Sequence, residues 1–211
     1  ASRQAPSIRR AISRFDTGKI SQEELSGVAD EVTKDVIQEQ IDAGLDIITD
    51  GQIRWDDGQT YFARGIKGFA TTGLLRYFDT NTYYRQPVPE TTLEWIGPIT
   101  VNDFKFAQHI SSVPVKPVIT GPFTLGYLSQ CGHYDDMATL VLDLAHILNR
   151  EALALEEAGA TIIQFDEPAF LGHKQDFSLL KEASSVVVKG LLAKTSIYTY
   201  FGDLSGIHEQ F

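Results

Sequence analysis

Two adjacent carboxylates, Asp166 and Glu167, directly follow the apolar run at residues 160–165 and precede a proline. A carboxylate at the end of a strand can bind a cationic group, such as a substrate amine, or act as a general base. The same pair can instead lie at a helix N-terminus and interact favourably with the helix dipole. The spacing favours neither interpretation, so both remain open.

Arg54 is surrounded by acidic residues and lies next to an aromatic ring. Asp50, Asp56 and Asp57 flank it, and Trp55 follows it directly. A guanidinium can bind a carboxylate or a phosphate through two parallel hydrogen bonds, and an indole ring offers a stacking surface. These residues alone favour a solvated loop with local ion pairs, and the alternative is a cluster that binds a ligand.

The histidine and cysteine residues do not form a recognisable metal-binding pattern. The five histidines include no i, i+4 pair, and the one cysteine, Cys131, has no partner at His-x-Cys or Cys-x-x-Cys spacing. Cys131 and His133 could supply two ligands, but no further members of a set accompany them. The residues therefore predict no metal site, and no glycine-rich phosphate loop or nucleophile elbow is present.

The elements that must position these residues alternate between helix and strand. A capping-box pattern at residues 21–24 predicts a helix that begins there and ends near Ala43. Further helices are predicted at residues 137–158 and 178–193, and strands at residues 45–49, 117–120, 160–165 and 196–201. Short apolar strands that alternate with helices are typical of a parallel α/β sheet covered by helices. The polar clusters then meet at the carboxyl ends of the strands, in a closed barrel or an open sheet alike.

Residues 64–102 interrupt this alternation. Gly, Thr, Tyr, Asn and Pro are frequent there, and two β-prone stretches lie at residues 73–78 and 91–95. We expect a β-hairpin insertion on the strand-end face of the sheet. An insertion of this length within a compact domain is more often functional than idle.

Composition excludes several classes of protein. The 211 residues are 43% hydrophobic and 22% charged, and the formal net charge of −10 disfavours a nucleic-acid partner. No secretory signal pattern is present, and no apolar run reaches the roughly 18 residues that span a bilayer. Membrane insertion is therefore not expected. A single cysteine indicates a reducing compartment, and we expect the protein in the cytoplasm.

Four segments, in this order, resemble the cobalamin-independent methionine synthase family. They are Tyr-Phe-Asp-Thr-Asn-Thr-Tyr-Tyr at 77–84, Ile-Thr-Gly-Pro-Phe-Thr at 119–124, Gln-Phe-Asp-Glu-Pro-Ala at 164–169 and Thr-Tyr-Phe-Gly-Asp at 199–203. The resemblance covers nearly the whole chain. It implies a (β/α)8 TIM-barrel-like fold and methyl transfer to the thiol of homocysteine, with folate or another molecule as the methyl donor. Eight βα units need roughly 250 residues, so we expect residues 1–211 to form a single, incomplete barrel domain that is a fragment.

The resemblance also implies roles for individual positions. Asp166 matches the aspartate that holds the amino group of homocysteine, and Gln52 stands where the family has a glutamate with the same task. Residues 200–202, Tyr-Phe-Gly, stand where the catalytic barrel carries its His-x-Cys zinc pair. Leu128 replaces a tryptophan used in folate binding. Zinc is thus implied by the family, but its ligands are not found, which is typical of the amino-terminal, zinc-free barrel or a stand-alone relative. The candidate substrate-binding residues are Asp166, Glu167, Gln52, Arg54, Gln164 and Tyr200.

These observations predict a protein of methionine biosynthesis that binds homocysteine or a methyl donor. Two alternatives stay open. One is a zinc-free barrel that binds substrate or acts as a scaffold for a separate, zinc-bearing catalytic chain. The other is a metal-independent enzyme on the related uroporphyrinogen-decarboxylase-like barrel.

Overall fold

The helices and strands of the chain follow one another in a mostly alternating order. A computed structural model describes residues 6–206, which contain seven α-helices and five β-strands. The elements are α1 (Pro6–Asp16), α2 (Gln22–Asp42), α3 (Gly58–Gly65), β1 (Ile66–Arg76), β2 (Tyr83–Trp95), α4 (Val101–Ile110), β3 (Val118–Thr120), α5 (Pro122–Tyr127), α6 (Met137–Glu157), β4 (Ile162–Asp166), α7 (Phe177–Val187) and β5 (Lys194–Tyr198).

Strands β3, β4 and β5 form a parallel sheet in sequence order, which confirms the predicted α/β class. Thr120 pairs with Asp166, and Asp166 pairs with Tyr198. A parallel bridge between Ile48 and Val115 extends the sheet beyond β3. Within residues 6–206, the sheet does not close into a barrel.

The two faces of the parallel sheet differ in chemistry. Ile119, Ile163 and Phe165 are buried in the main hydrophobic core. The long helix α6 covers that face with a fully buried apolar stripe that includes Leu144 and Leu148. Side chains alternate between the two faces of a strand, so Thr120, Gln164 and Asp166 project from the opposite face.

Helix α2 follows the predicted start signal closely. The Ser21 hydroxyl accepts a hydrogen bond from the Glu24 amide at 3.1 Å, and the Glu24 carboxylate accepts one from the Ser21 amide at 2.8 Å. This capping box satisfies two amide donors that the first helical turn leaves unpaired. The predicted helix at 21–43 is confirmed as α2.

Two predicted elements are shorter or shifted. The helix predicted at 178–193 ends at Val187. The side-chain amide of Asn149 on α6 donates hydrogen bonds to the carbonyls of Val187 and Lys189, and Gly190 then turns the chain with φ +82°. Strand β5 consequently spans 194–198 instead of 196–201. The strand predicted at 45–49 is reduced to the bridge at Ile48.

The predicted hairpin is present, with longer strands than the β-prone stretches indicated. Strands β1 and β2 pair antiparallel, from Ile66 opposite Trp95 to Arg76 opposite Tyr83. Proline lacks an amide donor, and the register of the ladder shifts between Lys67 and Phe69 and between Thr71 and Leu74, on either side of the pairs made by Pro89 and Pro87. The carbonyls of these two prolines accept hydrogen bonds from the amides of residues 133 and 130, at 2.8 and 2.9 Å. No helix in the described part of the chain is long and apolar enough to cross a membrane.

Candidate functional site at the strand ends

Asp166 is the central acidic group at the carboxyl end of the parallel sheet. Its Oδ1 accepts a hydrogen bond of 2.6 Å from the Gln164 side-chain amide, two residues earlier on β4. Burial raises the pKa of Asp166, while the Gln164 hydrogen bond and the positive charge of Lys116 lower it. The side chain is half-buried. The geometry therefore presents an oriented carboxylate to the space in front of the sheet.

Glu167, the second predicted carboxylate, lies beneath this surface. Its residue is 1% exposed, and its two oxygens accept hydrogen bonds from the amides of Phe123 and Thr124 at 3.0 and 2.6 Å. Burial raises the pKa of Glu167 to about 7, against the lowering effect of these hydrogen bonds. Both oxygens thus hold the start of α5 next to Asp166. For Glu167, this arrangement agrees with the second interpretation of the acidic pair, an interaction with the N-terminus of a helix. The helix is α5, which precedes Glu167 in the chain, and not the turn that follows it.

The turn before α5 requires a glycine at residue 121, because the Glu167 side chain occupies the space next to it. A Cβ atom on Gly121 would lie 2.2 Å from Oε1 of Glu167. The Gly121 amide donates to the carbonyl of Asp166 at 2.9 Å. The absence of a side chain at residue 121 therefore lets the end of β3 approach the end of β4.

The tip of the hairpin contributes an aromatic cluster above the strand ends. The hydroxyl oxygens of Tyr77 and Tyr200 lie 3.4 Å apart, and the rings of Phe78 and Phe201 are 5.1 Å apart. Burial and the nearby charge of Asp166 raise the pKa of Tyr200 to about 12. The pKa of Tyr77 is raised by burial, by Tyr200 and by Asp166. The structure therefore brings together three of the candidate residues, Asp166, Gln164 and Tyr200, and adds Tyr77, while their contact with a substrate stays a prediction.

A second set of hydrogen bonds ties the hairpin to α3. The Asp57 side chain caps α3 by accepting from the amides of Gln59 and Thr60 at 2.8 and 2.7 Å. The Thr60 hydroxyl donates to Asp57 and accepts from the amide of Arg85 on β2 at 3.1 Å. Arg85 pairs with Leu74 close to the end of the hairpin, so this connection holds the hairpin near its tip.

Arg54 is not directed at this group of residues. Its Nε atom lies 3.0 Å from Oδ1 of Asp103, and its Nη2 atom pairs with Asp30. The hydroxyl of Tyr61 donates to the other oxygen of Asp103. Arg54 thus joins α2 to α4 through two carboxylates. A direct contact between Arg54 and a substrate stays a prediction.

Gln52 lies in the turn that follows the bridge at Ile48. It has a positive φ of 50°, and its backbone amide donates to Oδ1 of Asp50 at 3.1 Å. Its side chain forms no hydrogen bond with any other residue in the described range, so its proposed contact with a substrate also stays a prediction. Burial raises the pKa of Asp50 to about 6. Asp50 lies close enough to Asp103 and Arg54 for their charges to affect its pKa.

The residues at the expected zinc position do not fit a zinc site. Tyr200, Phe201 and Gly202 offer no imidazole or thiolate, which are the usual zinc ligands. Among residues 6–206, no group of three His, Cys, Asp or Glu side chains is arranged to hold a metal ion.

The sequence of the chain is similar to those of known proteins. Residues 3–187 match a protein family described as "Cobalamin-independent synthase, Catalytic domain". The methionine synthase of Saccharolobus solfataricus is 38% identical over 205 residues, which are 97% of this chain and 61% of that protein. The methionine synthase of Sulfurisphaera tokodaii is 37% identical over 199 residues, covering 94% and 59%. The chain thus spans about 60% of the length of these relatives.

Two solved structures are similar in fold. One is a B12-independent methionine synthase from Shewanella sp. W3-18-1 in complex with selenomethionine, with a TM-score of 0.78 and 28% identity over 87% of this chain and 55% of that chain. The other is a B12-independent methionine synthase, described as putative, from Listeria monocytogenes, with a TM-score of 0.74 over 92% of this chain and 61% of that chain. Its identity is 20%, so it supports the fold alone.

Proposed function

The chain belongs to the cobalamin-independent methionine synthase family, and from this premise we propose that it takes part in methyl transfer to the thiol of homocysteine. We also propose that its parallel strands are one part of a (β/α)8 barrel. Both proposals draw on the relatives named methionine synthase and on the fold shared with the enzyme from Shewanella. Within that reaction, we assign to this chain the binding of the amino-acid substrate at the end of β4.

The proposal rests on one observation, namely the hydrogen bonding of the two oxygens of the Asp166 carboxylate. Oδ1 is held by the neutral amide of Gln164, whereas Oδ2 accepts no hydrogen bond from the described residues. No Lys, Arg or His nitrogen within residues 6–206 lies within 4.0 Å of either oxygen. A half-buried carboxylate with one oriented, unoccupied oxygen is suited to a charge-assisted hydrogen bond from an ammonium group. The amino group of homocysteine is such a donor.

The neighbouring residues support binding in three ways. Gln164 orients Asp166 through its 2.6 Å hydrogen bond. Glu167 holds the turn at Gly121 against the end of β4. The rings of Tyr77 and Tyr200 cover the strand ends and reduce the access of water, which strengthens electrostatic interactions there. These residues bind, orient and shield a substrate, and they include no group that would activate its thiol.

The experiment that tests the proposal is a calorimetric titration of the purified, zinc-supplemented protein with L-homocysteine, together with a measurement of bound metal. We expect saturable binding that Asp166→Asn weakens by about 1.5 to 3 kcal/mol, the range for a hydrogen bond to a charged group. Asp35→Asn, on the exposed side of α2, removes the same charge away from the strand ends and should leave affinity unchanged. Equal affinity of Asp166→Asn and the unmutated protein would contradict the assignment.

A second candidate function is favoured by the Tyr-Phe-Gly sequence at residues 200–202. In this alternative, the protein binds substrate or acts as a scaffold for a separate, zinc-bearing catalytic chain. It predicts that the purified protein shows no methyl transfer alone and that addition of a zinc-bearing catalytic chain of the family restores it. Methyl transfer by the protein alone would exclude this alternative. Activity on a porphyrinogen without any binding of homocysteine would instead indicate a uroporphyrinogen-decarboxylase-like enzyme.

A further inference from the structure

Gly202 lies against the side chain of Leu171, and this contact decides which residue can occupy position 202. A Cβ atom on Gly202 would lie 2.6 Å from Cβ of Leu171 and 3.2 Å from its Cδ1 atom. Gly202 does not have a positive φ, so a larger residue could adopt the same backbone conformation. The space that Leu171 fills, and not the backbone, therefore restricts position 202 to glycine.

Leu171 is held in place by its neighbours in the chain. It belongs to the short 3-10 helix Pro168–Gly172. Ala169 and Phe170 in this helix are 1% and 0% exposed, and the Ala169 amide donates to the hydroxyl of Thr124 at 3.2 Å. A Cβ atom is bonded to the backbone, so rotation of the leucine side chain does not move it. The clash with a Cβ atom at position 202 therefore persists in every rotamer of Leu171.

The hairpin tip holds the two residues that precede position 202. The hydroxyl oxygen of Tyr200 lies 3.4 Å from that of Tyr77, and the ring of Phe201 lies 5.1 Å from that of Phe78. Phe201 has a φ of 70°, which is unfavourable for a bulky residue and persists only where surrounding contacts hold the chain. A shift of this segment away from the 3-10 helix would therefore break its contacts with the hairpin.

We propose that the packing of Leu171 against position 202, and not residue type alone, excludes a zinc-binding cysteine from this segment. Tyr200 and Gly202 stand where the resemblance to the family places a histidine and a cysteine. Replacement of these two residues by histidine and cysteine would therefore not restore a zinc pair. A zinc ion that activates a thiol would have to be held by residues outside 199–203. This inference concerns the metal and is independent of the role assigned to Asp166.

Thermal denaturation measures the clash without any metal. Gly202→Ala adds only a Cβ atom, and we expect it to lower Tm by about 2 to 10 °C. Gly172→Ala is the control and should leave Tm nearly unchanged, because nothing lies within 4 Å of its Cβ position. In a Leu171→Gly background, Gly202→Ala should no longer lower Tm. In a Leu171→Ala background, which retains the Cβ atom, the loss should persist.

Cobalt binding measures the consequence for a metal pair. Co²⁺ can take the place of zinc, and its bond to a thiolate gives a charge-transfer absorption band. Co²⁺ is titrated to millimolar concentration into the unmutated protein, into Tyr200→His/Gly202→Cys, and into this double variant combined with Leu171→Gly or with Leu171→Ala. Cys131 is present in all four proteins, so the unmutated protein gives its background signal. We expect a band above this background only in the variant that carries Leu171→Gly.

Each result supports or overturns the inference. A loss of Tm in Gly202→Ala that Leu171→Gly relieves, together with a cobalt–thiolate band in that background alone, would support it. A band in Tyr200→His/Gly202→Cys with Leu171 intact would overturn it. Absence of the band in the variant that carries Leu171→Gly would overturn it as well, because Leu171 would then not be the barrier. Equal Tm values of Gly202→Ala and the unmutated protein would show that position 202 accepts a side chain, which also contradicts the inference.

Discussion

The side-chain amide of Gln164 donates a hydrogen bond of 2.6 Å to Oδ1 of Asp166, from the preceding position on the same face of β4. The contact is local, since only one residue separates the two. It fixes the direction of the carboxylate and opposes the rise in its pKa that burial causes. An amide in place of a cation leaves the negative charge of Asp166 available to an ammonium ligand.

Replacement of Gln164 by leucine should therefore raise the pKa of Asp166 further. A lost hydrogen bond to a charged group corresponds to about one to two pKa units. Only the ionised carboxylate binds an ammonium group, so ligand affinity falls as the pH decreases through this pKa. We expect the pH of half-maximal L-methionine binding to be higher in Gln164→Leu than in the unmutated protein. Gln38→Leu, on the exposed side of α2, is the matched control, and equal midpoints in all three proteins would refute the assignment.

Glu167 should make the stability of the protein depend on pH. Its pKa is about 7 in the folded protein, above its ordinary value of 4.5. The folded state therefore binds more protons than the unfolded state between these two values. The contribution of Glu167 to the free energy of unfolding is largest at low pH and decreases as the pH rises through 7.

Chemical denaturation between pH 4.5 and 8 tests this dependence. Glu167→Gln loses the titrating group and one of the two acceptors for the amides of Phe123 and Thr124. We expect the variant to be less stable at low pH and to lose less stability as the pH rises. Parallel curves for the two proteins would show that Glu167 does not titrate in this range.

An added methyl group at Gly121 should disturb the same contact. The Cβ atom would lie 2.2 Å from Oε1 of Glu167, a carboxylate that two backbone amides hold in place. Gly121→Ala should lower the free energy of unfolding by about 1 to 3 kcal/mol, the usual cost of overpacking. Gly27→Ala is the control, because nothing lies within 4 Å of its Cβ position in α2. In this helix the change should raise stability by about 0.5 to 1 kcal/mol, and a loss there equal to that at Gly121 would contradict the account.

Glu151 anchors the end of the hairpin and is expected to be essential for stability. This fully buried carboxylate accepts hydrogen bonds from Trp95 Nε1 at 3.0 Å, from the Ile99 amide at 2.9 Å, and from the amide and hydroxyl of Thr100 at 2.7 and 2.9 Å. Glu151→Ala should cost at least 3 kcal/mol, because several buried donors lose their acceptor. Glu157→Ala, at the end of the same helix, is the comparison in thermal denaturation, and similar melting temperatures would refute this role.

The contact between Tyr77 and Tyr200 should be measurable as a coupling energy. The two hydroxyl oxygens are 3.4 Å apart and join the hairpin tip to the chain after β5. In a double-mutant cycle with Tyr77→Phe and Tyr200→Phe, we expect a coupling of about 0.5 to 1.5 kcal/mol in the free energy of unfolding. Additive effects of the two substitutions would mean that the hairpin is held by other contacts.

Local sequence signals predicted the parts of this structure that depend on neighbouring residues. The capping box at Ser21 and Glu24 marked the start of α2, and the apolar run before Asp166 marked β4. The end of α7 has one distant cause, Asn149, which is 38 residues from Val187, and one local cause, Gly190, which the prediction of a helix to residue 193 passed over. Helices α3 and α4 also lay outside the predicted elements.

The candidate site residues also divide into those that local sequence identifies and those that only the fold brings together. Asp166 and Gln164 were identifiable because they lie at a strand end and on one face of that strand. The pairing of Tyr77 with Tyr200 joins residues 123 positions apart. The partners of Arg54 likewise come from α2 and α4, and those of Glu167 from α5. Contacts of this kind are set by the fold, so residue type and spacing could not distinguish them from contacts with a ligand.

The central claim is that the carboxylate of Asp166 binds the amino group of the ligand. The most direct test removes each of these two groups separately and then both together. L-Homocysteine and 4-mercaptobutanoate, which lacks the amino group, are titrated into the unmutated protein and Asp166→Asn. If Asp166 binds the ammonium group, loss of the amino group weakens binding to the unmutated protein by about tenfold or more and has little effect on Asp166→Asn. An equal loss of affinity in both proteins would place the ammonium group elsewhere and contradict the account.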